Sequence, residues 1–145
     1  MNDLHIHTTE SDGSLTVGEV MEIAVSKGIE TLALTDHETM RGVSEAIELG
    51  NEHGMRVIPG VELVTAFQER EVHLLGYFKR DSLDNFSLQS RLKELREQRT
   101  NLAYEMVSKL QKDGYGLKWS EVEKVANSHA AISKGHIMRA LHEHK

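Results

Sequence analysis

Apolar and polar residues alternate through the opening DLHIH (3–7), and that period of two predicts a short buried strand. In LTVGEVMEIAVSKG (15–28), Val17, Val20, Met21 and Ala24 recur at helical spacing. Thr16 followed by Glu19 forms a capping box at its start, and Gly28 is the stop. ETLALTD (30–36) reads as a second strand and RGVSEAIELGNEHG (41–54) as a second helix ending at Gly54. MRVIPGVELVT (55–65), with the only proline at Pro59, reads as a third strand. REVHLLGYF (70–78) reads as a fourth, with Gly76 at a candidate bulge. Strand and helix alternate, which predicts a parallel α/β arrangement with right-handed crossovers.

After Phe78 the period changes. One long helix is predicted from about Asp84 to Asp113, stopped by Gly114. Ser120 and Glu123 form a second capping box ahead of a short helix, and HIMRALHEH (136–144) makes a third. The expected division is residues 1–80 as half of a barrel and 81–145 as a helical insertion.

Composition narrows the chemistry. The 145 residues suit one domain, and a net charge of −6 argues against a broad electrostatic grip on nucleic acid. The chain has no cysteine, so disulfides, thiolate metal sites and cysteine nucleophiles are excluded, in keeping with a reducing cytoplasm. The opening lacks the apolar stretch of a signal peptide or a membrane start. Any metal must be held by His, Asp and Glu. There are nine histidines, so their placement decides the matter.

Titratable residues collect at predicted strand ends: Asp3, His5 and His7; Asp36 and His37; Glu62; His73. His5 and His7 are two apart in an extended segment and share a face, and Asp12 follows in the adjoining turn. If neighbouring strands are parallel, these groups converge on one mouth, where α/β barrels build their sites. Carboxylates and imidazoles crowded there repel and lose solvation unless cations lie between them.

DLHIHTTESDGS, LTDHETMRG, IPGVE and VHLLGYF, in this order, resemble the PHP family, named for polymerase and histidinol phosphatase. LREQR and ISKGHIMRAL resemble, more weakly, the helical insertion of its small phosphoesterases. Those act on nucleoside 3',5'-bisphosphates and the 5' ends of short RNA. The resemblance implies a distorted (β/α)7 barrel with up to three divalent metals, commonly Mn, Zn or Fe. By motif, His5 and His7 would hold one metal, and Asp12 and His37 a second. Glu62 would bridge the first to a third, which His73 would complete. Asp3 and Asp36 are expected behind the ligands, orienting rather than binding. It further implies hydrolysis by metal-activated water, with no side-chain nucleophile.

Arg96 and Arg99, three apart on one helix, and Lys134 and His136, near the start of the last helix, are expected to contact substrate phosphate. In the resembled phosphoesterases that loop often reads Gly-Arg-Pro-His. Here Ser133, Lys134, Gly135 and His136 stand instead, and lysine keeps the charge but lacks the bidentate fork. His53, His129, His142 and His144 match no motif and are read as surface residues.

The family's remaining ligands, a later His and an Asp-x-His pair, are not found before Lys145. The sequence is therefore read as the N-terminal part of a barrel about twice as long, with an open edge prone to self-association and at most weak hydrolysis alone. Two other readings are a non-catalytic PHP module of a DNA-metabolism protein and a histidinol-phosphatase-like enzyme. A metal-dependent amidohydrolase shares the His-x-His start.

Overall fold

The computed structural model describes residues 1–126 and 130–144. Strands β1 (Asn2–Ile6), β2 (Thr31–Leu34), β3 (Arg56–Phe67) and β4 (Arg70–Tyr77) form one sheet in the order β1-β2-β3-β4. Helix α1 (Val17–Ser26) connects β1 to β2, and α2 (Val43–Glu52) connects β2 to β3. Both connections link parallel neighbours: Asn2 pairs with Thr31, and Leu32 with Val57.

The fourth strand departs from the parallel expectation. β3 and β4 form an antiparallel hairpin in continuous register from Gly60 opposite Tyr77 to Phe67 opposite Arg70. Only Gln68 and Glu69 separate the strands, far too short a link for a parallel crossover. Both turn residues have positive φ, 48° and 63°, as a type I′ turn requires. The register has no bulge at Gly76. A Cβ there would meet the Phe78 ring at 3.1 Å, so this glycine makes room for an aromatic neighbour.

The helix starts follow local chemistry. The α1 capping box forms as expected: Thr16 Oγ1 accepts the Glu19 N–H, and Glu19 Oε2 accepts the Thr16 N–H at 2.8 Å. Val17, Val20, Met21 and Ala24 face Leu32 and Leu34 of β2 and Val43, Ala46 and Ile47 of α2 in one buried cluster.

Helix α3 (Phe86–Lys112) begins where the Asn85 side chain accepts the Leu88 N–H. Its Leu92 joins the first cluster, and further along Ala103 and Val107 join a second, with Leu117, Val122, Ile132, Ile137 and Ala140. Helix α4 (Trp119–Val125) does not start at Ser120. Lys118 precedes it and donates its N–H to Glu121 Oε2 at 2.7 Å, so the capping carboxylate comes two residues earlier than Glu123. Helix α5 (Lys134–Glu143) is capped by Ser133, whose Oγ accepts the Gly135 N–H.

The sheet curls. Tyr77 on β4 donates its hydroxyl to the Leu4 carbonyl of β1 at 2.8 Å, joining the first and last strands. Among the described residues, no helix is long and apolar enough to cross a membrane.

Candidate metal centre

The curl brings together the end of β1, the loops after β1 and β2, and the middle of β3, where Glu62 lies mid-strand rather than at the expected strand end. Residues 5 and 7 leave β1 on one face, and their Nε2 atoms lie 3.2 Å apart. The loop after β1 turns back at Gly13, where a Cβ would sit 2.5 Å from the His7 carbonyl oxygen. Only glycine allows that approach, and it sets Asp12 beside His7 and His37. His37 follows β2 and is bridged to Glu62 on β3. His73 lies mid-strand on β4 rather than at a strand end, and it reaches the cluster because β4 runs back along β3.

Glu62 is the hub. Its Oε2 lies 2.8 Å from His7 Nε2, 3.2 Å from His5 Nε2 and 3.7 Å from His37 Nδ1, and its Oε1 lies 2.7 Å from His73 Nδ1. Three overlapping sets result: His5, His7 and Glu62; His7, Asp12 and His37; and His37, Glu62 and His73. In each, the ligand atoms lie within 4.8 Å of one another. All six residues expected as metal ligands thus meet at one mouth.

Further polar groups lie behind them. Asp36 is buried and accepts the Thr8 N–H at 2.7 Å, the Thr8 hydroxyl at 2.8 Å and the Ser11 hydroxyl at 2.6 Å. With its proton committed to Asp36, Ser11 Oγ accepts from His7 Nδ1 at 3.3 Å. His7 Nε2 is thereby left facing Glu62. Asp3 accepts the His5 backbone N–H at 3.3 Å and touches the backbone, not the ring.

Charge balance at the mouth is shared. Burial pulls the His7 imidazole down, but the hydrogen bond and charge of Asp12, with the charges of Glu62 and Asp36, raise it overall. Burial works to raise Asp12 and Glu62, yet their imidazole partners hold both carboxyls below the ordinary range. Burial, then the nearby Arg99 charge, lowers His37 to about 4, so this ring is neutral at physiological pH. Its Nδ1 is buried with no hydrogen-bond partner among the described residues. An orphaned imidazole nitrogen aimed at a carboxylate, amid four imidazoles and two carboxylates, fits divalent cations with nitrogen and oxygen ligands. That donor set does not choose among Mn, Zn and Fe.

The four residues expected at phosphate separate. Arg99 and Lys134 line one cleft together with Glu38, Glu71 and Ser133. Arg96 faces a different hollow with Thr100 and Asn101 and gives its Nη1 to the Glu38 carbonyl at 2.7 Å. His136 is buried, with its Nδ1 taken by the Ser133 N–H at 3.1 Å, and it lines neither space. His53, His142 and His144 are exposed as expected, and His129 lies outside the described residues.

Three residues contribute that periodicity did not single out. Glu38 is buried at φ 50°; its Oε1 accepts the Val64 N–H at 2.9 Å, and its Oε2 lies 3.3 Å from Arg99 Nη1. Burial pushes its carboxyl up, against the pull of Val64 and Arg99. Its adjacency to His37 was the available signal. Ser133 donates to Asp12 Oδ2 at 3.0 Å, and Glu71 pairs with both Lys134 and His73. A separation of 121 residues between Ser133 and Asp12 leaves no local sequence signal.

Comparison with known proteins agrees with this geometry. The PHP domain matches residues 3–145. A 5'-3' exoribonuclease of Haemophilus influenzae is 34% identical over 140 residues, covering 96% of this chain and 49% of that protein. A phosphoribosyl 1,2-cyclic phosphate 1,2-diphosphodiesterase of Eggerthella lenta is 33% identical over 97% of this chain and 54% of its own length. A 3',5'-nucleoside bisphosphate phosphatase of Chromobacterium violaceum is 32% identical over 96% and 48%. A solved structure from Chromobacterium violaceum, described as an amidohydrolase with bound sulfate and no metal, superposes with a TM-score of 0.89. It is 30% identical and covers 98% of this chain and 49% of its own. The chain spans about half the length of the curated relatives it matches.

Proposed function

Because the chain belongs to the PHP domain family, we propose that it carries much of the metal centre of a phosphoesterase acting on nucleotides, either nucleoside 3',5'-bisphosphates or the 5' ends of short RNA. One observation carries this reading: three overlapping ligand sets, two of them sharing Glu62, meet beside a cleft lined by Arg99 and Lys134. The names of the exoribonuclease and the bisphosphate phosphatase relatives support the substrate class.

His5, His7, Asp12, His37, Glu62 and His73 would hold up to three divalent cations. Bound there, such cations would activate water and offset phosphoryl charge. The chain's own residues do the rest. Asp36, through Ser11, fixes which nitrogen His7 presents. Arg99, 3.3 Å from Glu38 Oε2, and Lys134 draw a phosphate toward the mouth. Arg96 holds α3 against the loop that carries His37, and His136 holds the Ser133 cap. We assign ligand supply to residues 1–80 and the cationic wall to 81–145. The absence of cysteine suits a reducing cytoplasm. Leu4, Leu74 and Leu75 on the outer strands and Phe67 at the end of β3 are exposed, and through them two copies associate.

The test is phosphate release from a nucleoside 3',5'-bisphosphate and from 5'-phosphorylated RNA by the Mn2+- or Zn2+-loaded chain, with metal content measured in parallel. Slow release that chelator abolishes and Arg99→Ala weakens through KM is expected. A chain that takes up no divalent metal overturns the proposal.

A further inference from the structure

Glu71 is not among the six converging side chains, yet it stands directly behind one of them. The His73 ring meets a carboxylate at each nitrogen: Nδ1 lies 2.7 Å from Glu62 Oε1, and Nε2 lies 3.3 Å from Glu71 Oε1. The other Glu71 oxygen accepts from Lys134 Nζ at 2.6 Å.

The placement follows from strand geometry. Residues 71 and 73 are two apart on β4, opposite Ala66 and Val64 of β3, so both side chains leave the sheet on one face. Glu71 is 51% exposed, and a carboxylate that open to water would swing freely on its own. Lys134, the first residue of α5, tethers it. The preceding residue, Ser133, holds Asp12.

We propose that Glu71 is a positioning residue for His73: it accepts the Nε2–H and so leaves Nδ1, turned toward His37 and Glu62, as the nitrogen that would take a cation. This rests on the metal reading of the set His37, Glu62 and His73. A neutral imidazole carries one N–H, and the nitrogen that bears it is fixed by the partner it finds. Metal-holding histidines commonly donate their second N–H to a carboxylate, and losing that partner costs about 10- to 100-fold in metal affinity. Lys134 consequently has a structural task besides any contact with phosphate, since it keeps the Glu71 carboxylate ionised and in place.

The experiment follows the histidine ring nitrogens of the whole chain by 15N NMR during titration with Zn2+ alone, for the native sequence, Glu71→Gln and Glu71→Ala. Glu71 lies on an exposed strand face, and an unchanged backbone spectrum checks folding. The native chain is expected to keep His73 protonated at Nε2 throughout and to give up the Nδ1 proton held by Glu62 as Zn2+ binds. Glu71→Gln keeps an oxygen acceptor and is expected to retain that pattern. Glu71→Ala is expected to lose it and to bind Zn2+ at His73 about tenfold more weakly, while His5 and His7 titrate as before. Equal Zn2+ response of His73 in the native chain and Glu71→Ala overturns the role of Glu71 alone. A native chain in which no imidazole responds to Zn2+ overturns the metal reading, and this inference with it.

Discussion

Ser133 donates its hydroxyl to Asp12 Oδ2 at 3.0 Å, across 121 residues of chain. One end of the second apolar cluster is thereby fastened to the metal mouth, because the same serine caps α5. Ser133→Ala removes a cap and the donor to a carboxylate at once. Stability is expected to fall by about 1–2 kcal/mol, read from urea unfolding. Zn2+ affinity at the set containing Asp12 should fall by a few-fold.

Glu62→Gln strikes two of the three sets. Its carboxylate serves His5 and His7 on one side and His37 and His73 on the other, whereas His7, Asp12 and His37 do not depend on it. After dialysis against Mn2+ or Zn2+, elemental analysis should show most of the bound metal gone, with a residual fraction that Asp12→Asn removes. Undiminished metal content in Glu62→Gln would contradict the hub role.

The pH dependence has a defined sign. His7 and His73 are raised above the ordinary 6.5 in the folded chain, His7 by Asp12, Glu62 and Asp36 against burial, and His73 chiefly by its bond to Glu62. Their share of the metal-free stability is full below 6.5 and is lost as pH rises through the raised folded values. His37 and His136, both lowered by burial, act only below 6.5 and leave that window clear. Metal reverses the slope, since protons compete for the same nitrogens. Thermal melts with chelator should therefore decline from neutral to mildly alkaline pH. Zn2+ affinity by calorimetry should climb over the same range and then level.

The Gln68–Glu69 turn is a site of removable backbone cost. Both residues sit at positive φ without the glycine or asparagine that such a turn favours. Replacing the pair by Asn-Gly should raise stability by about 1 kcal/mol or more, measured by chemical denaturation, with metal affinity unchanged. Lower stability would show that these side chains have other partners.

One face of the β3–β4 hairpin carries the remaining expectation. Leu74 is 54% exposed and Phe67 67% exposed. Light scattering should report concentration-dependent association of the native chain, reduced in Leu74→Lys. A monodisperse monomer at high concentration excludes association through this face.

The meeting of the candidate ligands could be read because it obeys local rules. Residues 5 and 7 share a face by strand period, and the motifs around His37, Glu62 and His73 each sit on a recognisable element. The direction of β4 could not be read, because Gln-Glu lacks the composition of a hairpin turn. Arg96 and Arg99 share a helix face, as their spacing predicts, yet Glu38 splits them: its carbonyl takes one and its carboxylate the other. That separation arises from a left-handed backbone at Glu38, which no propensity signals. The distant partner Ser133 was hidden for a simpler reason, since tertiary folding alone sets it beside Asp12.

His7, His37 and Glu62 each belong to two of the three ligand sets. A cation held by one set would fix side chains that its neighbour also draws on, so the three sets would not fill as independent equilibria.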